Sequence, residues 1–562
     1  MKIALAQTNP TIGAFQENID RMRTLVDRAK DEQCDLIVFS ELIISGYPPM
    51  DLLDRADFVD ENIRHLQEVI GSINDIGVIC GFVDKNPSDG ENALHNSAVL
   101  FENGRILYQV HKRLLPNYDV FDENRYFKPG RAIAPFAYRG HKLGLTICED
   151  VWNDEDLYPK DVFARRRYPV DPVAEVVERG ADLIINISSS PYWMGKGPAK
   201  HDMLSQLAKK HAVPLLYVNQ TGGNDSLLFD GVSMAFDSAG QMVARARDFE
   251  EDLVFFHTES QKGTIHPVSD SVTATVLKAL IMGTRDYVQK CGFSKVLIGL
   301  SGGIDSALTA ALAVEALGKE NVTGVFMPSP FTSAQTGRDT DTLATNLDIE
   351  LLRIPIDNIF EASLGEMVPL LGDIKTTVTG QNIQARLRGV ILMALSNSRG
   401  ALVLATGNKS ELAVGYCTLY GDMVGALAVI ADVPKTLVYE LAQEINAMGT
   451  IIPQPILDKA PSAELIPGQA DSDDLPPYSV LDKISQAYIE KNLDPGTIAS
   501  MGPAPAVVSE TIARIDRNEY KRYQSPPTLK VTTKSFGYGR RYPIAREYAW
   551  HGDPSQTHLQ KK

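Results

Sequence analysis

The hydrophobic and polar positions in the first half of the chain follow two alternating patterns. Short, mostly apolar runs predict β-strands, and the segments between them, with apolar residues every three or four positions, predict amphipathic helices. Some strands are joined by tight turns and others through helices, which predicts two sheets packed face to face with helices outside. The predicted strands are residues 2–7, 35–40, 78–82, 97–102, 106–111, 142–148, 182–187, 214–218 and 231–236, and the predicted helices are residues 15–30, 57–73, 172–178 and 199–211.

The pattern becomes more regular after residues 261–268. A long helix is predicted over residues 270–291, followed by a strand at 295–300 and a helix from residue 307. Later strands alternate with helices, which is typical of a doubly wound parallel sheet whose ligands bind at the carboxyl ends of its strands. The later strands are residues 321–327, 350–355 and 401–406.

Residues 459–477 interrupt this alternation. The segment is rich in proline and acidic residues and has neither a helix nor a strand period. A loop of this length inside a compact domain is usually a lid over a site or is disordered. We therefore predict a mobile loop.

Composition narrows the classes of protein. With 562 residues the chain is too long for one hydrophobic core, and its 44% hydrophobic and 22% charged residues are typical of a globular enzyme. A net charge of −16 argues against a nucleic-acid or anionic-membrane partner, and no apolar run reaches the roughly 18 residues that span a bilayer. The five cysteines include no C-x-x-C pair, and the strand pattern begins at residue 2 without a signal peptide. We therefore expect a reduced, cytoplasmic protein.

The turn after the strand at 295–300 is rich in glycine and hydroxyl groups. The glycines let backbone N–H groups approach an anion, and the following helix N-terminus adds partial positive charge. Since the lysine of a Walker A loop is missing, pyrophosphate is favoured as the ligand. The Asp305 carboxylate suits Mg²⁺. The alternative is an ordinary strand–helix corner that Asp305 caps. The turn reads Ser301-Gly302-Gly303-Ile304-Asp305-Ser306.

Three predicted strands of the first half each end on a reactive side chain, namely Glu41, Lys112 and Cys148. If these strands are neighbours in a sheet, the three groups meet. Cys148 would then attack an amide to form a thioester, Glu41 would take the thiol proton and later activate water, and Lys112 would stabilise the tetrahedral oxyanion. The alternative is a small buried thiol with two solvated turn residues.

The segments around these residues resemble the three signature segments of the nitrilase (carbon–nitrogen hydrolase) family. They are Phe39-Ser40-Glu41-Leu42, His111-Lys112-Arg113 and Ile147-Cys148-Glu149-Asp150. The resemblance covers about residues 1–260 and implies an αββα sandwich. It also implies that Glu123 is a supporting glutamate and that a glutamine substrate is held by Tyr118, Ser190 and Lys196. Ser188 and Ser189 remain alternatives to Ser190, which is favoured by its place before Pro191.

The second half resembles the N-type ATP pyrophosphatases in its glycine-rich turn and the NAD synthetase family over about residues 270–540. The matching segments are residues 380–388, 405–411, 415–422, 461–465 and 473–475. The resemblance implies ATP-binding residues Gly299, Leu300, Ser301, Gly302, Gly303, Ile304, Asp305, Ser306 and Thr406. It implies metal ligands Asp305 and Glu411, and it implies that the dinucleotide acid is bound by Asn382, Arg386, Glu411, Asp422 and Lys521.

Together the two halves resemble the fused glutamine-dependent NAD synthetases. The resemblance implies a glutaminase domain at 1–260, a linker at 261–269, an ATP pyrophosphatase domain with a Rossmann-like sheet at 270–540 and a tail at 541–562. Glutamine would supply ammonia, ATP with Mg²⁺ would adenylate deamido-NAD⁺, and ammonia would displace AMP to give NAD⁺. Free ammonium is not nucleophilic at neutral pH, so we expect a shielded path between the sites. We also expect a homo-oligomer, a dimer or larger.

Two other functions fit the same residues. An amidotransferase could direct ammonia to another adenylated acceptor, such as a nucleotide base or aspartate, because the pyrophosphate loop alone allows it. A sensor protein could bind nucleotides without catalysis, although every named acid, base and nucleophile is present.

Overall fold

The computed structural model describes residues 1–86, 94–132, 134–153, 168–447 and 449–546. The chain forms two compact units, Met1–Val272 and Thr273–Lys562. Most of the predicted tail at 541–562 lies outside the described residues. Among the helices described, none combines the length and the apolar character that a bilayer crossing requires.

The first unit contains two β-sheets and a hairpin. Its strands are β1 Lys2–Gln7, β2 Leu36–Val38, β3 Gly77–Lys85, β4 Leu94–Glu102, β5 Arg105–His111, β6 Phe136–Tyr138, β7 His141–Ile147, β8 Leu183–Ser188, β9 Leu215–Asn219, β10 Thr221–Asn224, β11 Leu227–Asp230, β12 Met234–Phe236, β13 Met242–Arg245, β14 Asp252–His257 and β15 Lys262–Gly263. Its helices are α1 Phe15–Asp31, α2 Ala56–Ser72, α3 Pro172–Glu178 and α4 Lys196–His211. One sheet has the order β15-β14-β1-β2-β3-β4-β5, the other has the order β13-β12-β9-β8-β7-β6, and β10 pairs with β11.

The side chains of β1 point alternately to two different cores, which shows how the layers of this unit form. Ile3 and Leu5 are fully buried in a core that both sheets share, together with Leu145 from β7. Ala4, on the opposite face of β1, packs with Met22 of α1 in a separate outer core. Helices α3 and α4 cover the other sheet in the same way. The predicted αββα sandwich is confirmed.

The second unit is built on a five-stranded sheet of the order β18-β17-β16-β19-β20, in which every neighbouring pair is parallel. Its strands are β16 Val296–Gly299, β17 Val322–Phe326, β18 Glu350–Arg353, β19 Leu402–Ala405 and β20 Leu427–Ala428. Its helices are α5 Val272–Lys290, α6 Ile304–Leu317, α7 Ala334–Leu347, α8 Asp357–Leu371, α9 Val378–Arg399, α10 Lys409–Val414, α11 Lys435–Ala447, α12 Gln454–Asp458, α13 Tyr478–Ser485, α14 Pro495–Ser500, α15 Pro505–Arg517 and α16 Glu519–Arg522.

The order of this sheet reverses at β16, which pairs with β17 on one side and with β19 on the other. Leu392 of α9 packs on one face of the sheet with Leu297 and Val403, and α6 packs against β16 and β17. The predicted doubly wound parallel sheet is therefore confirmed. Its ligand crevice is expected at the carboxyl end of β16, where the chain turns to opposite sides.

Lys409 links the start of α10 to residues 532–534, near the end of the second unit's described part. Its buried ammonium lies 3.1 Å from a carboxylate oxygen of Asp432 and 2.9 Å from one of Glu490. It also donates to the Thr532 hydroxyl at 2.6 Å and to the Lys534 carbonyl at 2.9 Å. Burial disfavours the charged form, but the two carboxylates outweigh it and raise the pKa of Lys409.

Replacing Lys409 by methionine is expected to destabilise the second unit by about 3–5 kcal/mol, because two buried carboxylates lose their counter-ion. Urea unfolding followed by circular dichroism measures the loss. Lys319→Met is the matched control, since Lys319 pairs with Asp348 on the surface and its loss should change stability much less. Equal midpoints for the two variants would show that Lys409 is not a structural hub.

Candidate active sites

The structure brings the predicted trio together at one end of the first unit. Glu41 follows β2 and Lys112 follows β5, and the pairings of β2, β3, β4 and β5 make these two strands run in the same direction. Cys148 follows β7, which belongs to the other sheet. The three strands are therefore not neighbours in one sheet. The side chains meet across the interface between the sheets.

Glu41 and Lys112 form a fully buried ion pair, with 2.8 Å between the ammonium and a carboxylate oxygen. The Asn96 amide donates to the same oxygen at 2.7 Å, and the Ser189 backbone N–H donates to the other at 2.8 Å. Lys112 also donates to Glu123 at 2.8 Å. These bonds fix the Glu41 carboxylate while it remains an acceptor, which is what a general base requires.

Burial sets the protonation of this group of side chains. Burial raises the pKa of Glu123 to about 7. The positive charge of Lys112 opposes this rise, and the negative charge of Glu41 adds to it. For Lys112, burial acts in the opposite direction, but the charges of Glu123 and Glu41 prevail and raise its pKa well above the ordinary value. Lys112 is therefore a permanent cation beside two carboxyl groups.

Cys148 begins a short helical turn, Cys148–Val151, and is only 3% exposed. Its φ of +46° places it in the left-handed region, at a sharp turn after β7. Burial raises the pKa of its thiol well above the usual value, the charge of Glu41 raises it further, and the charge of Lys112 opposes the rise. The resting sulfur is therefore a thiol that needs a base, and the charges of Glu41 and Lys112 act on it at close range.

The rate of alkylation of Cys148 by iodoacetamide is expected to rise about tenfold per pH unit from pH 7 to 9 without a plateau, because the thiolate fraction is still growing below the raised pKa. Peptide mass spectrometry measures the rate. Glutathione is the reference, since an ordinary thiol levels off above its pKa of about 8.5. A plateau below pH 8 for Cys148 would mean that the site stabilises the thiolate.

Asp150 connects the turn at the nucleophile to the turn at Lys112, and the sequence predictions did not include it. Its carboxylate accepts the backbone N–H groups of Ile147 at 3.0 Å, Arg113 at 3.0 Å and Leu114 at 2.9 Å. Burial raises the pKa of Asp150 to about 6, although these hydrogen bonds to the carboxylate oppose the rise. The signal for it was present, since an acid two residues after a buried thiol needs donors from a neighbouring segment.

The three predicted glutamine-binding residues lie in the same unit as the trio. The Lys196 ammonium donates to the Ser190 hydroxyl at 2.7 Å and to the Pro191 carbonyl at 2.6 Å. Ser189 donates instead to the Glu41 carbonyl, and Ser188 donates to Asn186. Tyr118 donates its hydroxyl to Glu149, the residue after the nucleophile.

A cavity of about 450 Å³ lies in the second unit at the carboxyl ends of the parallel strands. It is lined by most of the residues predicted for this half: Gly299, Leu300, Ser301, Gly303, Ile304, Asp305, Thr406, Asn382, Glu411, Asp422 and Lys521. Gly302, Ser306 and Arg386 are not among its lining residues. Arg386 is exposed and donates to the Leu419 carbonyl at 3.1 Å, whereas Arg388 lines the cavity.

Gly302 and Ser306 shape the glycine-rich turn from behind. Gly302 has a φ of +75°, and a Cβ there would come within 2.5 Å of the Thr336 side chain. The Ser301 backbone N–H donates to the Ser306 hydroxyl at 3.2 Å, and that hydroxyl donates to the Gly303 carbonyl at 3.0 Å. The turn is therefore held in one shape before any anion arrives.

Asp305 and Glu411 converge on Lys435, a residue that the sequence predictions missed. The buried Lys435 ammonium forms an ion pair with Asp305 and lies 3.3 Å from Glu411. Burial raises the pKa of Glu411 to about 8. The positive charge of Lys435 opposes this rise, and the negative charge of Asp305 adds to it. Lys435 lies 24 positions after Glu411 (435 − 411) outside any glycine-rich motif, so no local pattern indicated it.

Asn382, Asp422 and Lys521 line this cavity and are held by hydrogen bonds to residues 415–418. The Thr418 hydroxyl donates to Asn382 at 2.8 Å, and its backbone N–H donates to Asp422 at 2.6 Å. Lys521 donates to the carbonyls of Gly415 and Cys417 at 2.7 and 2.8 Å.

The segment 459–477 packs onto the same cavity. Lys459 donates to the Thr336 hydroxyl at 2.9 Å and pairs with Glu464 at 2.8 Å, and Glu464 accepts the Thr336 hydroxyl at 2.8 Å. Because Thr336 also contacts Gly302, this segment is connected to the glycine-rich turn. Its place over the cavity suits a lid, and its mobility stays a prediction.

The two folds and their sites define a protein in which a carbon–nitrogen hydrolase sandwich is joined to an ATP pyrophosphatase-type domain. The carbon–nitrogen hydrolase family model matches residues 2–160 and 162–262, and the NAD synthase family model matches residues 276–525. The glutamine-dependent NAD⁺ synthetase of Synechocystis sp. is 46% identical over 97% of this chain and 99% of its own length. That of Thermotoga maritima is 42% identical over 98% and 99%.

A solved structure agrees with these relatives. The glutamine-dependent NAD⁺ synthetase of Acinetobacter baumannii in complex with ADP superposes with a TM-score of 0.75 at 39% identity, and the match covers 97% of this chain and 98% of that one. The chain belongs to the glutamine-dependent NAD⁺ synthetase family.

Proposed function

We propose that this protein makes NAD⁺ from deamido-NAD⁺, ATP and glutamine, with release of AMP, pyrophosphate and glutamate. The observation that carries the proposal is the presence, in one chain, of a buried Glu41–Lys112 pair acting on Cys148 and of a phosphate-type turn opening into a 450 Å³ cavity. Full-length relatives at 46% and 42% identity are named for this activity.

Incubation of the purified protein with ATP, Mg²⁺, glutamine and deamido-NAD⁺, followed by chromatography of the products, tests this proposal. We expect NAD⁺, AMP and glutamate in equal amounts. Parallel reactions with aspartate or a nucleotide base as acceptor should yield no AMP. AMP formation with one of those acceptors instead would assign a different amidotransferase, and nucleotide binding without any AMP would indicate a sensor.

In the first unit, Cys148 attacks the amide carbon of glutamine while Glu41 takes the thiol proton and passes it to the leaving ammonia. Lys112 stabilises the oxyanion, and water activated by Glu41 then hydrolyses the thioester. Glu123 orients Lys112 through their 2.8 Å bond. Lys196 and Ser190 hold the carboxylate end of glutamine, and the Lys196 ammonium already donates to the Ser190 hydroxyl. Tyr118 contributes to the other end of the substrate.

In the second unit, the turn at Ser301–Ser306 holds the departing pyrophosphate with its backbone N–H groups. Thr406 contacts ATP, and the dinucleotide carboxylate attacks the α-phosphorus. Asn382, Asp422 and Lys521 hold deamido-NAD⁺, and for Arg386, which is exposed, that role rests on the sequence alone.

Asp305 and Glu411 fit a magnesium ion, because Mg²⁺ is commonly bound by one or two carboxylates together with substrate phosphates. Both carboxylates line the cavity and face one cation, Lys435. When bound with ATP, the ion neutralises charge on the phosphates. Lys435 keeps the two carboxylates together before the nucleotide binds.

We also propose that the protein forms homo-oligomers and that it acts in the cytoplasm. Helices α8 and α9 expose an unusual number of large apolar side chains: Ile359, Met367, Val368, Leu370, Leu371, Val378, Val390 and Met393. Leu370 is 82% exposed and Val390 is 66% exposed. An apolar surface of this kind marks a protein–protein contact.

A Leu370→Glu, Val390→Glu double variant is expected to sediment as a monomer, because two charges would be buried without partners in the contact. Analytical ultracentrifugation measures the mass. Leu52→Glu, at an exposed leucine of the first unit, should leave the assembly intact. Assembly that survives the double substitution would place the contact elsewhere.

A further inference from the structure

Asn408 is a fully buried residue that joins the two carboxylates proposed to bind Mg²⁺. Its amide nitrogen donates to a carboxylate oxygen of Asp305 at 3.1 Å. Its amide oxygen accepts the backbone N–H of Glu411 at 3.0 Å. One planar amide therefore fixes the place of Asp305 relative to Glu411, and none of the steps assigned above gives this residue a function.

The parallel sheet brings Asn408 to Asp305. Strand β19 ends at Ala405, shortly before Asn408, and β16 ends at Gly299, before the glycine-rich turn. Because β16 and β19 are parallel neighbours, the segments that follow them lie at the same edge of the sheet. The contact joins residues 103 positions apart, so the fold creates it and local sequence does not.

Asn408 also caps helix α10, but capping alone does not require an asparagine. Aspartate and serine cap helices about as well. Aspartate has no hydrogen to donate to Asp305, and serine is too short to reach Asp305 from the position of the cap. An amide serves both partners, because it accepts with its oxygen and donates with its nitrogen.

The amide holds Asp305 without cancelling its negative charge. Lys435 pairs with the other oxygen of the same carboxylate, and as a cation it competes with a metal ion for that charge. The neutral amide of Asn408 does not compete, so it can stay in place when a cation binds. Groups that orient metal-binding side chains in this way contribute about 10–100-fold to metal affinity.

We propose that Asn408 is a positioning residue that holds Asp305 and Glu411 at the spacing a divalent cation requires, and thereby sets the magnesium affinity of the nucleotide site. The proposal rests on the magnesium site proposed above. Both carboxylates line the 450 Å³ cavity, whereas Asn408 is not among its lining residues. Asn408 therefore acts through the two carboxylates, and high Mg²⁺ should overcome its loss.

Calorimetric titration of the full chain with α,β-methylene-ATP, which cannot release pyrophosphate, tests this inference in Mg²⁺ and in EDTA. Asn408→Ser keeps the cap but loses the bond to Asp305. We expect binding in Mg²⁺ to weaken at least about tenfold, and binding in EDTA to stay within about twofold. The Mg²⁺ concentration for half-maximal synthesis from ammonium should rise by a similar factor, and the rate should recover at high Mg²⁺.

Asp494→Ser is the matched control for Asn408→Ser. Asp494 is an exposed residue that caps α14, which has six residues like α10. The exchange places serine at a cap of the same unit, away from the carboxylates that line the cavity. It should change neither binding constant.

The possible outcomes are distinct. Equal weakening in Mg²⁺ and in EDTA would overturn the proposal, because Asn408 would then support the nucleotide pocket in general, and unchanged binding in Mg²⁺ would overturn it as well. If Asn408→Ser does not fold, Asn408→Thr takes its place, since threonine also caps helices and leaves less empty space. A wild-type protein that binds the analogue equally in Mg²⁺ and in EDTA refutes the magnesium site itself, and this inference with it.

Discussion

Replacing Cys148 by alanine is expected to abolish NAD⁺ synthesis from glutamine, with a fall of at least about 1000-fold. Without sulfur no thioester forms, and neither Glu41 nor Lys112 can act as a nucleophile in its place, because the two groups are bound to each other in a buried ion pair. Synthesis from added ammonium salts should remain, since the cavity of the second unit is untouched. A coupled assay that reduces the NAD⁺ product measures both rates.

Cys34→Ala is the control for this variant. Cys34 is also a buried thiol of the first unit, 7% exposed, but it belongs to the outer core beneath α1. It should therefore retain both activities. Glutamine-dependent synthesis that persists in Cys148→Ala would remove the glutaminase assignment, and simultaneous loss of the ammonium-dependent rate would indicate damage to the whole protein.

Replacing Asp305 by asparagine is expected to lower synthesis from both glutamine and ammonium by about 100–1000-fold. The substitution keeps the shape of the side chain but removes the charge that faces Lys435 and that would bind Mg²⁺. The resulting loss affects adenylation, which both routes share. Glutamine hydrolysis measured without ATP should stay, since its residues lie in the first unit.

Asp348→Asn is the matched control for Asp305→Asn, because Asp348 is an exposed aspartate of the same unit that pairs with Lys319. It should leave both synthetic rates unchanged. If Asp305→Asn kept the ammonium-dependent rate, the acceptor site would lie outside the 450 Å³ cavity.

The strands and helices that contribute most to the two cores could be read from the sequence. Strand β1 and helix α3 were predicted with the observed ends, and β7, β8, β16 and β17 within about two residues. These elements have strong apolar periods, which local sequence records. The strands that were missed, such as β6, β13 and β15, are short, and their pairing is set by distant partners.

The candidate sites divide in the same way. Glu41, Lys112 and Cys148 could be named because each ends an apolar strand, but the sequence did not show that they reach one another from two different sheets. Lys435 was missed because its partner Asp305 is far away along the chain. Asp150 was missed although its place two residues after Cys148 was a signal, because two of its three partners lie on the distant turn at Arg113.

The sequence by itself determined the two fold classes, the glycine-rich turn and the identity of the reactive groups, because these depend on local periodicity and on side-chain chemistry. Tertiary structure alone decided which charges are buried together. That choice raised the pKa of Cys148 and paired Lys435 with the carboxylates of the second unit. Burial and long-range pairing depend on residues tens to hundreds of positions apart, so no local pattern records them.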